Sequence, residues 1–329
     1  MRLRVIIGAA LGIAACVFVF TRHDWDEIWQ AVTLLGWGLV VLILWRFISL
    51  IVAGTSWRLL YTPGARPSVV IAVVARWVSE SVNGLLPVAQ VGGELVRARL
   101  LFHALKREGK PSSGLDSAAT VIVDMTLALF AQVLFALPGL WHLWQLNEDA
   151  IARVAGGVVV SILPLVLLIA AQHQGAIKGG TALAARFGLA RLIADESQEH
   201  PLWTRLASLY RRVPLAAAVI AGHLVAWTCR AAETYIALRL MGQEIGLLDA
   251  IMIEGLLGAA RTVGFLLPAG LGIQEGALLL LCGWAGVPGH VALALALVKR
   301  ARELGVGLPG LLTWAVLERP KLRRHHHVR

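Results

Sequence analysis

Two short segments of this sequence concentrate side chains able to bind or pass a charged group. Arg76, Glu80 and Asn83 stand at i, i+4 and i+7, one face of a helix that runs into Leu85-Leu86-Pro87, and Gln90, Glu94 and Arg97 follow that proline. Glu254 and Arg261 share a face ahead of Leu266-Leu267-Pro268, and Gln274 and Glu275 come after it. Helix ends exposed at such breaks present unpaired N–H groups and a positive dipole end, which suit a phosphate. The chemistry indicated is binding in a polar cleft lined by Pro87 and Pro268. The same residues read equally well as structural ion pairs that lock helices together, and both readings stay open at this level.

Further charges lie in apolar surroundings: Arg46, Asp124, Arg230, Glu233, Arg239, Lys299, Arg300, Arg302 and Glu303. A charge at the centre of a bilayer costs about 2.5–3.5 kcal/mol even on insertion-based scales. These groups must therefore pair or face water. His223, Arg230 and Glu233 follow one helical face, and Asp124 reads as a partner for an arginine. Lys299, Arg300 and Glu303 are expected to face the cleft or the inner interface. Catalytic patterns are missing: no HExxH, GxSxG or P-loop motif occurs, and no His/Asp cluster suited to metal hydrolysis. The expectation is a protein that is not an enzyme, with no metal and no cofactor.

The elements that position these residues follow from composition. Of 329 residues, 58% are hydrophobic and 15% charged, well below the quarter or so that keeps a soluble domain dissolved. The apolar residues come in blocks long enough to cross hydrocarbon. This excludes a soluble enzyme, a disulfide scaffold and a usual nucleic-acid binder. Cys16, Cys229 and Cys282 all lie in apolar runs with no metal-ligand spacing. Spans are expected at 4–20, 35–53, 115–140, 151–171, 214–240 and 290–317. The stretches 68–105 and 248–287 are each broken by a proline, so each reads as two short helices.

Basic residues assign the sides. Loops expected on the inner side carry 20 Lys and Arg against six acidic residues, and those expected outside carry Arg22 and Arg153 against seven acidic ones. The membrane set holds eight basic and seven acidic residues, so the net charge of +10 is mainly a topology signal with some attraction to anionic inner-leaflet lipids. Both ends of 68–105 carry inner-side charge, which makes that stretch a re-entrant hairpin; 248–287 should re-enter from the outside. The order span, span, hairpin, span then occurs twice in opposite orientation, an inverted-topology repeat of the kind many transporters use. The segments LLPVAQVGGE (85–94) and LLPAGLGIQE (266–275) echo each other across the halves. Seven residues before each proline stand Glu80 and Arg261, opposite charges that can meet at the repeat axis.

The fold class expected is thus an all-α integral membrane protein with about six full spans and two re-entrant helix hairpins. It forms a single domain over 1–329, with half-repeats 1–145 and 146–317, a cytoplasmic loop 172–214 and a basic tail 318–329. Within the loop, Leu202, Trp203, Leu206, Leu209 and Tyr210 recur at helical spacing and are expected along the inner leaflet. Trp25, Trp29, Trp141 and Trp144 suit an outer aromatic belt. Histidines 103, 142, 173, 200 and 290 fall at loops or helix ends, where solvation is the default.

At RWVSESVNGLLPVAQVGGELVRARLL (76–101), LLPAGLGIQEGALLLL (266–281) and ALALALVKRARELGVGLPGLL (292–312), the chain resembles the lysylphosphatidylglycerol synthase transmembrane-region family. The NGLLPVAQVGGE wording is similar to its hopanoid-biosynthesis-associated subgroup. The resemblance implies a flippase-like bundle with two re-entrant helices that moves a polar lipid between leaflets. The synthase proper carries a soluble aminoacyl-transfer domain after its membrane part, and the chain ending at Arg329 is expected not to make the lysyl lipid alone. Fold does not carry substrate identity with it.

The leading expectation is a lipid translocase or lipid-handling protein of a bacterial-type inner membrane, both termini cytoplasmic. Its partners would be membrane lipids with a polar or anionic headgroup, and possible enzymes of lipid biosynthesis; nucleic acid is not expected. The alternatives are an accessory subunit or enzyme of lipid modification, and an ion-coupled small-solute transporter.

Overall fold

A computed structural model describes residues 17, 20–86, 92–111, 113–173, 202–263 and 272–325, with side chains left undescribed from 319 onward and at several positions in 151–173 and at 203. Eleven helices follow in chain order among them: α1 (Trp25–Leu35), α2 (Gly38–Arg58), α3 (Val69–Leu85), α4 (Gly92–Arg107), α5 (Gly114–Leu146), α6 (Glu148–His173), α7 (Leu202–Tyr210), α8 (Val213–Leu240), α9 (Leu247–Val263), α10 (Ile273–Trp284) and α11 (Gly289–His325). A short 3-10 turn, Pro63–Ala65, joins α2 to α3. No strand occurs among the described residues. The chain is an all-α membrane protein: α2, α5 and α8 are long and apolar enough to cross a bilayer.

Expected spans 35–53, 115–140, 151–171, 214–240 and 290–317 coincide with α2, α5, α6, α8 and α11, several of which extend further. The span at 4–20 lies almost wholly outside the described residues. Both broken stretches are pairs of short helices, α3 with α4 and α9 with α10. The turns that contain Pro87, Gln90 and Pro268 lie outside the described residues. Helix α3 stops at Leu85, two residues before Pro87, where a following proline disfavours continued helix. Helix α10 opens at Gly272, φ 81°, whose N–H is accepted at 2.8 Å by Glu275 one turn on.

The segment that carries Trp25 and Trp29, placed outside the expected spans, is a full amphipathic helix. Asp24 caps α1 by accepting from the N–H of Asp26 at 2.8 Å, and Asp26 and Glu27 occupy the first turn. Ile28, Ala31 and Leu35 face inward while Trp25, Trp29 and Leu34 stay exposed. Helix α7 lays its apolar face against the bundle. Its Leu206 is fully buried, and Leu202, Leu209 and Tyr210 pack into the core beside α5. An ion pair from Arg205 to Asp116 ties α7 to the first turn of α5, where Asp116 also completes a capping box with Ser113.

The apolar core is in two parts. One gathers Ile28, Leu42, Leu143, Met241, Ile253 and Val291. The other gathers Trp57, Tyr61, Leu101, Leu105, Val123, Leu206 and Val219. Each membrane-length helix reaches both and is polar between them. On α2 Arg46 and Ser49 lie between Leu42 and Trp57; on α8 His223, Arg230 and Glu233 lie between Val219 and Ala237; on α5 Gln132 lies between Leu127 and Ala136. A polar layer therefore sits at mid-length of the bundle.

Helix contacts repeat across the two halves. Helix α2 packs on α3 as α8 packs on α9, α3 on α11 as α9 on α5, and α4 on α5 as α10 on α11. Small residues permit the closest crossings. A Cβ on Gly139 of α5 would stand 2.9 Å from the Met252 Cα of α9, and one on Gly255 of α9 would stand 3.2 Å from the Ala136 Cα of α5. The tightest approach to backbone is at Gly93, where a Cβ would fall 2.1 Å from the Ser79 carbonyl oxygen. Backbone cannot yield as a flexible side chain does. Gly93→Ala is therefore expected to destabilise the protein by about 1–3 kcal/mol in a detergent thermal melt. Gly276→Ala in α10, where an added Cβ meets nothing within 4 Å, should be neutral or slightly stabilising.

Candidate functional site

Between the two apolar cores lies a cavity of about 350 Å³, bounded by α2, α3, α4, α5, α8, α9, α10 and α11. Six arginines (46, 76, 230, 261, 300 and 302) and four glutamates (80, 94, 254 and 303) line it. Asn83, Gln132, Trp227, Thr262 and Gln274 add hydrogen-bonding or aromatic surface. Such a density of charge inside an apolar bundle requires explicit partners.

The partners are present and divide into two groups. In the first, Asp124 of α5 is wholly buried and receives Arg97 at 2.7 Å, Arg76 at 3.3 Å and His223 Nε2 at 2.8 Å. Arg97 also meets Glu94 at 2.6 Å and stacks over Trp57, 4.3 Å from the ring centroid. Glu80 pairs with Arg46 across α3 and α2. In the second group, α11 presents four charges within five residues. Lys299 reaches Glu254 at 2.7 Å and the Thr234 hydroxyl at 2.8 Å, and Arg300 reaches Glu275 at 3.0 Å and Glu303 at 3.1 Å. Arg302 meets Glu233 at 3.1 Å. Glu303 in turn receives Arg261 at 2.9 Å, and Arg261 donates to the Gln274 side-chain oxygen at 2.5 and 3.0 Å.

The sequence-predicted residues divide by position. Arg76, Glu80, Asn83, Glu94, Arg230, Glu254, Arg261, Gln274, Arg300 and Glu303 reach the cavity surface. Arg97, Asp124, Glu233, Glu275 and Lys299 stand behind it as buried partners of lining charges. Asn83 accepts from the Gly93 N–H at 2.8 Å, so it also clamps α3 to α4. Glu80 and Arg261 share the cavity, yet each pairs elsewhere, with Arg46 and Glu303. Arg76 and Glu80, one helical turn apart, likewise choose partners on other helices. Two charges change places relative to the sequence reading. Arg97, counted there with the inner loops, is fully buried, and Arg239, counted with the membrane set, is exposed at the end of α8. His142, expected to be solvated, instead bridges α5 to α9 through Asp249 at 2.8 Å.

Gln132 and Trp227 are cavity residues that the sequence reading passed over. Gln132 donates to the Thr262 hydroxyl at 2.7 Å, joining α5 to α9. A lone glutamine in the apolar run 121–137 was the available signal. Trp227 lies under the Arg230 guanidinium, 4.6 Å from centroid to Cζ, with Arg230 one turn further along α8.

Membrane-length helices, two apolar cores and a charged cavity between them define a membrane protein with an internal polar site. The chain belongs to the lysylphosphatidylglycerol synthase TM region family, whose model matches residues 5–310. That membership connects it with membrane lipids. Neither a curated protein nor a solved structure matches the chain.

Asp124 is fully buried and meets three basic side chains. Neutralising it leaves Arg76 and His223 without the carboxylate that, among the described residues, is the only one within 4 Å of either, and weakens the tie on Arg97. Asp124→Asn is expected to cost about 3–5 kcal/mol, the range for breaking a buried ion pair from one side. Chemical or thermal denaturation in detergent reads this directly, and Arg239→Gln, at an exposed site, should change stability by less than about 0.5 kcal/mol.

Proposed function

We propose that this protein translocates a polar membrane lipid, a phospholipid or a hopanoid, by passing its headgroup through the cavity while the tails remain in the bilayer. The observation that carries this reading is the charged cavity held at mid-length between two apolar cores. A volume of about 350 Å³ lies at the small end of ligand pockets, which suits a headgroup better than a whole lipid. The family points the same way.

In this reading α3 with α4 and α9 with α10 are re-entrant hairpins entering from opposite sides, halves of an inverted repeat. The exchange of helix contacts between the halves supports it. The excess of Lys and Arg on one set of loops supports a position of both termini on the cytoplasmic side of a bacterial-type inner membrane. The direct partners are lipids, and the enzymes that make them are candidates for association. Transport, not catalysis, is the assigned role.

The test is headgroup exchange in reconstituted vesicles, using a headgroup-labelled phospholipid and a membrane-impermeant quencher. Arg261→Ala removes a lining charge that contacts both Gln274 and Glu303. It is expected to slow exchange about 10-fold or more, the equivalent of one charged hydrogen bond. Unchanged exchange in the folded variant, together with unchanged exchange in Glu80→Ala, overturns the reading. Lipid turnover without leaflet exchange assigns the site to lipid modification instead.

A further inference from the structure

The ion pairs of the polar layer match one to one with a single remainder. Seven carboxylates, Glu80, Glu94, Asp124, Glu233, Glu254, Glu275 and Glu303, can be assigned to seven distinct cations: Arg46, Arg97, Arg76, Arg302, Lys299, Arg300 and Arg261 respectively. Arg230 is left over. Among the described residues no carboxylate comes within 4 Å of its guanidinium, and its buried Nε has no hydrogen-bond partner. The undescribed segments 87–91 and 264–271 contain no ionisable residue. Arg230 lines the cavity and is held over the Trp227 ring, which offers a cation partial compensation but accepts no hydrogen bond from its edge nitrogens.

We infer that Arg230 is the anchor for an anionic phosphate group, and that the cavity selects lipids whose headgroup carries one unbalanced negative charge. This rests on the lipid-translocation reading and narrows it. A guanidinium meets a phosphate through two parallel N–H···O bonds, a geometry that also orients the ligand. Between two apolar cores the match of charge weighs heavily in affinity. A phosphodiester headgroup with no ammonium completes the pairing and brings the layer to neutrality. A zwitterionic headgroup brings its own cation, an uncharged polyol brings no anion, and a lysylated headgroup brings two ammonium groups against one phosphate. The cavity is thus selective against the lysyl lipid that the family name contains. Gln132 and Thr262, both on the cavity surface, supply neutral hydrogen-bonding groups for a glycerol-type remainder.

The experiment compares phosphatidylglycerol, phosphatidylcholine, lysylphosphatidylglycerol and inorganic phosphate as ligands of the full-length protein in detergent, by competition against a fluorescent phosphatidylglycerol. Wild type is expected to bind phosphatidylglycerol on the order of 10-fold more tightly than phosphatidylcholine, and lysylphosphatidylglycerol more weakly still. Arg230→Gln should erase that preference, and Arg230→Lys should restore part of it, since lysine keeps the charge without the bidentate fork. The thermal midpoint of ligand-free Arg230→Gln should equal or exceed that of wild type, because an unmatched, half-buried charge is removed; Arg302→Gln, which strands Glu233, should lower it. Equal binding of phosphatidylglycerol and phosphatidylcholine by wild type overturns the inference, as does an undiminished preference in Arg230→Gln. Headgroup exchange indifferent to lipid charge would overturn the inference while leaving lipid translocation standing. Inorganic phosphate competing through Arg230, with no lipid bound or exchanged, would keep the anion site and overturn the translocase reading.

Discussion

The arrangement depends on one constraint: charge buried in an apolar bundle must be matched locally. Eight cations and seven carboxylates meet in a layer between two apolar cores, and every carboxylate is within 4 Å of at least one cation. Ion pairs of this kind add little net stability, because desolvation offsets most of the attraction. Their weight lies in specificity. A helix rotated or shifted by one turn would separate Asp124 from three partners or strand Lys299, at a cost of several kcal/mol, so the pairs select one packing among many that would bury similar apolar area.

Helix packing is subordinate to that match. Glycines at 93, 139 and 255 bring the backbones of α3 and α4 and of α5 and α9 close together. Helix α11 carries Lys299, Arg300, Arg302 and Glu303 in five residues, and between them they pair with residues of three neighbouring helices. On a lone helix that block would keep α11 out of a bilayer. Assembled, it joins α8, α9 and α10 around the cavity. The first half is joined comparably by Asp124, with the roles of acid and base exchanged. The residual charge on Arg230 is what the proposed phosphate would match.

Much of this was legible in the chain. Apolar blocks of membrane length, interrupted at Leu85-Leu86-Pro87 and Leu266-Leu267-Pro268, specify helices and breaks through period and proline chemistry that need no tertiary information. The near balance of buried charge was also legible, since the cost of an unmatched group applies whatever the fold. Family wording in 76–101 led to the same membrane region that the family match covers. Helix α1 was hidden because a short amphipathic segment with three charges resembles an outer loop until its inward face finds α11. The burial of α7 was hidden for the same reason, its apolar face being equally suited to lipid or to α5.

What the chain alone determined was the inventory: how many charges must be buried, on which helices, and with what total. What only the tertiary structure decided was the pairing. Arg76 and Glu80 are neighbours on one helix, yet Arg76 goes to Asp124 and Glu80 to Arg46, because the facing helices α5 and α2 bring oppositely charged partners within reach, whereas Arg97 and Glu94 do pair along their own helix. Arg97 and Arg239 exchanged roles on similar grounds, since position along an apolar run does not reveal which face is covered. The identity of the remainder, Arg230, followed from that pairing and from nothing readable in the sequence.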